Sequence, residues 1–235
     1  RPFSHRSFQT ITPIRVLFAI LGSMGAEGPV LYWAAIHRKH HQFSDEPGDP
    51  HSPHLHGEGW RGRLLGLWHA HIGWLFDHEQ LDWARWSPDL LRDRAVFTVH
   101  RYYFLWVALG LLLPAVVGGI LSLSWSGALT GFIWGGLVRM FLAHHTTWSV
   151  NSFSHVWGAK RFRSRDESRN NVFLALLTMG DGWHNNHHAF PTSAAHGLEW
   201  WQFDMSHWLI RGLEVLGLAW DVKRPSREAL AKARV

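Results

Sequence analysis

From Tyr102 to Leu123 the chain runs for 22 residues without a charged side chain, and no other stretch restricts its folding as strongly. About 20 apolar residues in a helix, at about 1.5 Å each, cover the hydrocarbon core of a bilayer. Within lipid a helix satisfies its own backbone hydrogen bonds, and a proline such as Pro114 is tolerated there. A short turn, Ser124-Trp-Ser-Gly127, leads into a second apolar run, Ala128 to Trp148, which carries Arg139, His144 and His145. Spans at roughly 102–123 and 128–148 therefore form a hairpin. Its turn has no Lys or Arg, whereas His100 and Arg101 precede it and Lys160, Arg161, Arg163 and Arg165 follow it. The positive-inside bias puts both ends in the cytoplasm. Arg139 either snorkels toward that side or has a function in the membrane.

The rest of the chain reads as helices and loops of one domain, residues 1–235. Ile14 to Ile36 is helix, break, helix, interrupted at Gly22, Gly25, Gly28 and Pro29. Pro47, Pro50 and Pro53 make Gln42 to Gly62 a loop, and its His51, His54 and His56 read as surface groups or as residues standing behind a ligand. Leu64 to Phe76 is aromatic and amphipathic, and Asp77 to Arg94 reads as surface helix. Asn171 to Met179 reads as a short helix, Leu198 to Asp204 and Trp208 to Trp220 have helical spacing, and the tail from Lys223 reads as a charged helix. The fold class is all-α, an integral membrane helical protein with a helical cap on the cytosolic side.

Two triplets fall outside the hairpin: His37-Arg-Lys-His40-His41 and His184-Asn-Asn-His187-His188. On a helix each sets three imidazoles at i, i+3 and i+4, on one face. Two such faces brought together could enclose two metal ions. Cys is absent, so disulfides, thiolate zinc sites and iron–sulfur ligation are excluded and the donors are nitrogen and oxygen. Imidazole suits iron, zinc and copper alike. The bland alternative is that 19 histidines cluster by accident or hold a structural zinc. A net charge of +5 would suit nucleic acid, but the basic residues are scattered without a nucleic-acid motif, and an anionic membrane surface fits better. Two further histidines stand in suggestive settings, His5 in PFSHRSF and His155 one helical turn beyond Asn151.

With these motifs in place the sequence resembles the integral-membrane fatty acid desaturases, in particular their delta-9 branch of acyl-CoA and acyl-lipid enzymes. The resemblance rests on PFSHRSF at 2–8, HRKHH at 37–41, SDEPGDPH at 44–51, HIGW at 71–74, TTWSVNSFSH at 146–155, GDGWHNNHHAFP at 180–191 and HGLEWWQFD at 196–204. It implies that His5, His37, His40, His41, His155, His184, His187 and His188 ligate two iron ions, and that Asn151 reaches one of them through water. It also implies that a ninth histidine belongs just before Arg1 and that a first membrane hairpin is missing, leaving two of four spans.

The implied reaction uses O2 as co-substrate to place a cis double bond, at delta-9, in a saturated fatty acyl chain. Electrons would come from a ferredoxin, a rubredoxin or a b-type cytochrome with its reductase. Family members that use acyl-CoA commonly carry Arg-Asp before the motif matched by HRKHH, where Ala35-Ile36 stands here, which favours an acyl-lipid substrate or another carrier. Asp45, Asp49 and Asp181 are candidates to orient ligand imidazoles, and Trp148 and Trp183 to line an acyl tunnel. His196 is left outside the ligand set. The expected location is the bacterial inner membrane, with the active site facing the cytoplasm. The rivals are a diiron alkyl or lipid hydroxylase and a non-catalytic histidine-rich metal-binding membrane protein.

Overall fold

The computed structural model describes residues 1–77 and 81–235. Its regular structure is mostly helical, and its one sheet among the described residues is the antiparallel pair Gln9–Thr10 and Ala219–Trp220. Contacts divide the chain into two compact units.

One unit comprises Thr12–Ala35 and Leu81–His145. It contains the helix Tyr103–Ser122 and the start of the helix Trp125–His155, the two among the described residues that are long and apolar enough to cross a membrane. Almost none of the apolar 18-residue stretch of either helix is buried within the protein, so its Leu, Ile, Phe and Trp side chains face outward, as lipid-facing surfaces do. Leu123 ends the first helix with a left-handed φ of 50°, and Ser124 starts the next by accepting from Gly127 N at 3.0 Å; a serine in that place supplies one of the hydrogen bonds a helix start lacks. Small residues let the helices meet. A Cβ on Gly131 would fall 2.1 Å from the Pro114 carbonyl oxygen, so the backbones are in contact there. Gly131→Leu is expected to splay the hairpin, costing about 1–3 kcal/mol or more, and to lower the yield of detergent-stable protein in size-exclusion chromatography. An unchanged elution profile and yield would contradict the close approach.

In the second of these helices Gly131–Val138 winds as a π-helix, which breaks the regular pairing of its carbonyls. Arg139 donates to the carbonyls of Gly135 at 2.8 Å and Gly110 at 3.1 Å, and more weakly to Met24 at 3.4 Å. Its charge is spent on backbone oxygens of its own unit. His144 Nε2 lies 2.8 Å from the Gly25 carbonyl, so the break expected within Ile14–Ile36, now seen after the helix Thr12–Ser23, is held from the second helix of the hairpin.

The other unit comprises Arg1–Ile11, Ile36–Gln80 and Thr146–Val235. Its buried apolar side chains include Phe8, Trp74, Val150, Phe162, Leu174 and Trp183. Two expectations are changed in detail. Asp77 to Arg94 is not one surface helix: Asp82 caps Trp83–Trp86, and Ser87 and Pro88 begin a separate turn, Pro88–Arg92, while residues 78–80 lie outside the described residues. Leu198 to Asp204 forms turns, because Gln202 Oε1 accepts from the amides of Leu198 at 2.8 Å and Glu199 at 3.1 Å. Side chains that bond nearby backbone in this way compete with the helix. The later helix runs Met205–Val215, started by Asp204.

Candidate metal centre

Four segments of this second unit deliver histidines to one place. The helix Val30–Phe43 presents His37, His40 and His41, and the helix His184–Ala189 presents His184, His187 and His188. His5 ends the short helix Pro2–His5, and His155 ends the 3-10 turn Phe153–His155. The rings sort into two groups, His5, His37, His41 and His187, and His40, His155, His184 and His188, with one nitrogen of each ring lying within 4.8 Å of the others in its group. Each group takes two members from one triplet and one from the other, so the two triplets interleave.

The nitrogens that converge are Nε2. They are 2.7 Å apart between His5 and His37, 2.9 Å between His41 and His187, 3.4 Å between His187 and His37, and 3.0 Å between His155 and His184. Ligands about 2.1 Å from one ion stand about 3.0–3.4 Å apart at tetrahedral or right-angled geometry. In the second group the far nitrogens of His40, His155 and His188 are already engaged. Nδ1 of His40 lies 2.9 Å from Asp49, that of His155 2.8 Å from Asp45, and that of His188 2.5 Å from Asp166. An Nδ1 proton given to a carboxylate leaves the lone pair on Nε2. The buried Nε2 atoms of His40 and His188 have no hydrogen-bond partner, although buried polar atoms are almost always partnered. A cation between them resolves that, so the residues present fit two metal ions with nitrogen donors.

The electrostatics agree. Burial, reinforced by neighbouring imidazoles, holds His37, His41, His184 and His187 well below the usual histidine range, and His5 down to about 2. Burial lowers His188 to about 4 against the opposing pull of Asp166. These rings are neutral at pH 7, the form that binds metal. His155 is raised: burial works against its charged form, but the hydrogen bond and charge of Asp45 outweigh it. Burial would raise Asp45 too, yet the His155 bond and its other donors hold it near 2. Asp49 and Asp166 are likewise held below the carboxylate range, the donors from His40 and His188 overcoming burial.

The carboxylates are themselves fixed. Asp45 accepts from Ser52 Oγ at 2.7 Å and from Glu167 N at 2.9 Å, Asp49 from the amides of Asp45 and His51, and Asp166 from Ser168. The helix His184–Ala189 is held by the two residues between its histidines. Asn185 Oδ1 accepts from the amides of Arg161 and Phe162, both at 2.8 Å, while Asn186 Nδ2 donates to the His196 carbonyl at 2.7 Å and to Gln202 at 2.8 Å.

The remaining candidates fall around this centre. Asp181 lies 3.1 Å from His196 Nδ1 and 3.1 Å from the Arg1 guanidinium, with no bond to one of the eight candidate ligand histidines among the described contacts. The His196 ring packs on His187, centroids 4.3 Å apart. Asn151 is half-buried on the helix Arg139–Ser152. Trp148 is half-buried with its ring edge toward His71, and Trp183 is buried, donating from Nε1 to the Phe203 carbonyl at 2.7 Å and packing on Trp201. His51 is buried against His40, centroids 4.3 Å apart, and His54 Nε2 lies 2.9 Å from the His155 carbonyl. Asp166 was not anticipated. It sits in a basic loop with no spacing that ties it to His188; the only available hint is the rule that ligand imidazoles find a carboxylate.

Comparison with known proteins adds a family. The model of the fatty acid desaturases matches residues 2–220. A hex-5-enoyl-[acyl-carrier protein] acetylenase of Moorena producens is 52% identical over 98% of this chain and 72% of its own length. A chloroplastic palmitoyl-monogalactosyldiacylglycerol delta-7 desaturase of Arabidopsis thaliana is 39% identical over 96% of this chain and 57% of its own. The sn-1 stearoyl-lipid 9-desaturase of Synechocystis sp. is 39% identical over 98% and 67% respectively.

Proposed function

The chain belongs to the fatty acid desaturase family of oxidoreductases, and from that premise we propose a diiron, O2-dependent enzyme that introduces a cis double bond at delta-9 of a saturated fatty acyl chain carried on a lipid. The observation that carries this reading is the pair of four-histidine groups with converging Nε2 atoms. His5, His37, His41 and His187 would hold one iron, and His40, His155, His184 and His188 the other, with Asn151 reaching the second through water. When bound, the pair supplies the O2-reducing and C–H-oxidising power that side chains lack.

The protein's own part is to hold and aim. Asp45, Asp49 and Asp166 keep the Nδ1 protons of His155, His40 and His188, so that their Nε2 lone pairs stay directed inward. Asp181 acts at one remove, through His196 and Arg1. Trp148, and more remotely Trp183, would flank the acyl chain near its ninth and tenth carbons, since fixed geometry at the reacting bond is what such an enzyme must provide. Electron counting requires a partner. Removing hydrogen from two adjacent methylenes yields two electrons and two protons, while reducing O2 to two waters takes four of each. A reduced ferredoxin, rubredoxin or b-type cytochrome supplies the other two electrons, and solvent the other two protons. The active site is proposed to face the cytoplasm, at the inner membrane of a bacterium.

A second reading is favoured by the relative that is 52% identical, whose name describes an acetylenase acting on an acyl-carrier-protein thioester. On that reading the substrate already holds one double bond and the product a triple bond. Expression of the protein in a desaturase-deficient bacterium, followed by mass spectrometry of total fatty acids, tests both. A new monounsaturated species with its double bond between carbons 9 and 10 is expected. An alkyne on the carrier protein would select the second reading, and recovery of hydroxylated chains alone would sink both.

A further inference from the structure

Residues 158–170 cross the helix His184–Ala189 as a strap with the alternation of an extended chain. Phe162, Asp166 and Ser168 are buried, while Arg161, Arg163, Arg165 and Glu167 are exposed. The strap is tied at each end and in the middle. Ala159 pairs with Asn170 across its base, Arg161 and Phe162 donate to Asn185, and Arg163 N donates to the Ala233 carbonyl at 2.7 Å. Its inward carboxylate, Asp166, is the one that meets His188 Nδ1 at 2.5 Å.

The outward charges are not balanced locally. The strap holds five basic residues, Lys160, Arg161, Arg163, Arg165 and Arg169, against Asp166 and Glu167. Arg161 pairs with Glu199 at 3.1 Å, and Arg169 and Lys160 pair with Glu167 at 3.1 and 3.6 Å. Arg163 and Arg165 make no ion pair among the described residues, and both are exposed. An unpaired guanidinium two residues from another, on a backbone held rigid, is suited to recognise carboxylates. The residue next to Arg165 is Asp166, so a group docked on the pair stands one residue and one hydrogen bond from a candidate metal ligand.

We infer that this strap is the docking surface for an acidic one-electron carrier of the ferredoxin type, which delivers the two electrons in two successive encounters, each oxidising one reduced carrier. The inference rests on the function proposed above. An anionic lipid surface is the rival partner, and Trp157 before the strap and Trp200 beside Glu199 are exposed as interfacial residues would be; between the strap's arginines, however, the one large apolar side chain, Phe162, is buried, so the Arg163–Arg165 pair itself offers lipid no apolar group. Proximity to His188 also serves an electron carrier and gives a lipid headgroup nothing.

The test measures binding of an acidic plant-type [2Fe–2S] ferredoxin to the metal-loaded protein in nanodiscs by surface plasmon resonance at several salt concentrations. The double variant Arg163→Glu/Arg165→Glu is expected to raise Kd by about tenfold or more and to flatten its salt dependence. Reversal of two exposed arginines elsewhere, Arg61→Glu/Arg63→Glu, should leave Kd unchanged, and Arg163→Lys/Arg165→Lys should retain most of the binding. Iron content of each variant, measured by mass spectrometry, verifies that the centre is intact. A Kd for ferredoxin unaltered by reversal of the strap pair overturns the assignment, including the case in which the same variant loses binding to phosphatidylglycerol vesicles. The two readings fail separately. A desaturating protein whose ferredoxin Kd ignores the strap pair refutes this surface alone, whereas a protein that binds ferredoxin through the pair but yields no unsaturated product refutes the function alone.

Discussion

Replacing His187 by alanine is expected to abolish formation of the unsaturated product, a loss of at least about 100-fold, and to lower bound iron from two per chain toward one. His187 Nε2 faces both His41, at 2.9 Å, and His37, at 3.4 Å, so it closes its group from the opposite triplet. Losing a ligand costs more than losing the group that orients one, which alone is worth about 10–100-fold in affinity or activity. The helix should survive the change, because Asn185 and Asn186, not His187, tie it to Phe162, Asn170 and Gln202. Iron quantification and product analysis on the same membrane preparation decide the matter. Full activity with two irons retained would remove His187 from the ligand set.

The second large effect is expected at Asp166. An Asp166→Asn variant keeps the shape and loses the charge that faces His188 at 2.5 Å. Its iron affinity should fall by about 10–100-fold, seen as faster loss of metal to a chelator in stopped-flow absorbance. Asp45→Asn should act in the same direction through His155. A merely structural role predicts a different result, a lowered melting temperature with unchanged chelation kinetics. The sign of the pH effect follows from the depressed carboxylate. Burial alone would raise Asp166, but His188 and Ser168 hold it below the ordinary range. Its contribution to stability is therefore complete above the unfolded carboxylate pKa and declines only as pH falls through the lower folded value.

Much of the centre is written in local spacing. HRKHH and HNNHH each fix three imidazoles on one helical face, and the structure forms both helices and interleaves their rings. The apolar runs at 102–123 and 128–148 likewise appear as helices of spanning length, the second extending from Trp125 to His155. The residues hardest to read act over long sequence distances. Asp166 reaches His188 through tertiary folding alone, and its neighbours, a run of arginines, suggest only a solvated loop. Leu198 to Asp204 misled for another reason: its apolar spacing is helical, but Gln202 and Asp204 turn their side chains onto nearby amides. Asn185 and Asn186 were visible between the histidines, yet a hydrophobicity pattern assigns buried amides to the surface.

That pair of asparagines has a consequence for how the enzyme is assembled. The hydrogen bonds that position the HNNHH triplet run through protein atoms alone, so they do not depend on a bound ion. A metal held there is expected to leave and return without the helix His184–Ala189 unfolding, which repeated chelation and reloading followed by circular dichroism would check.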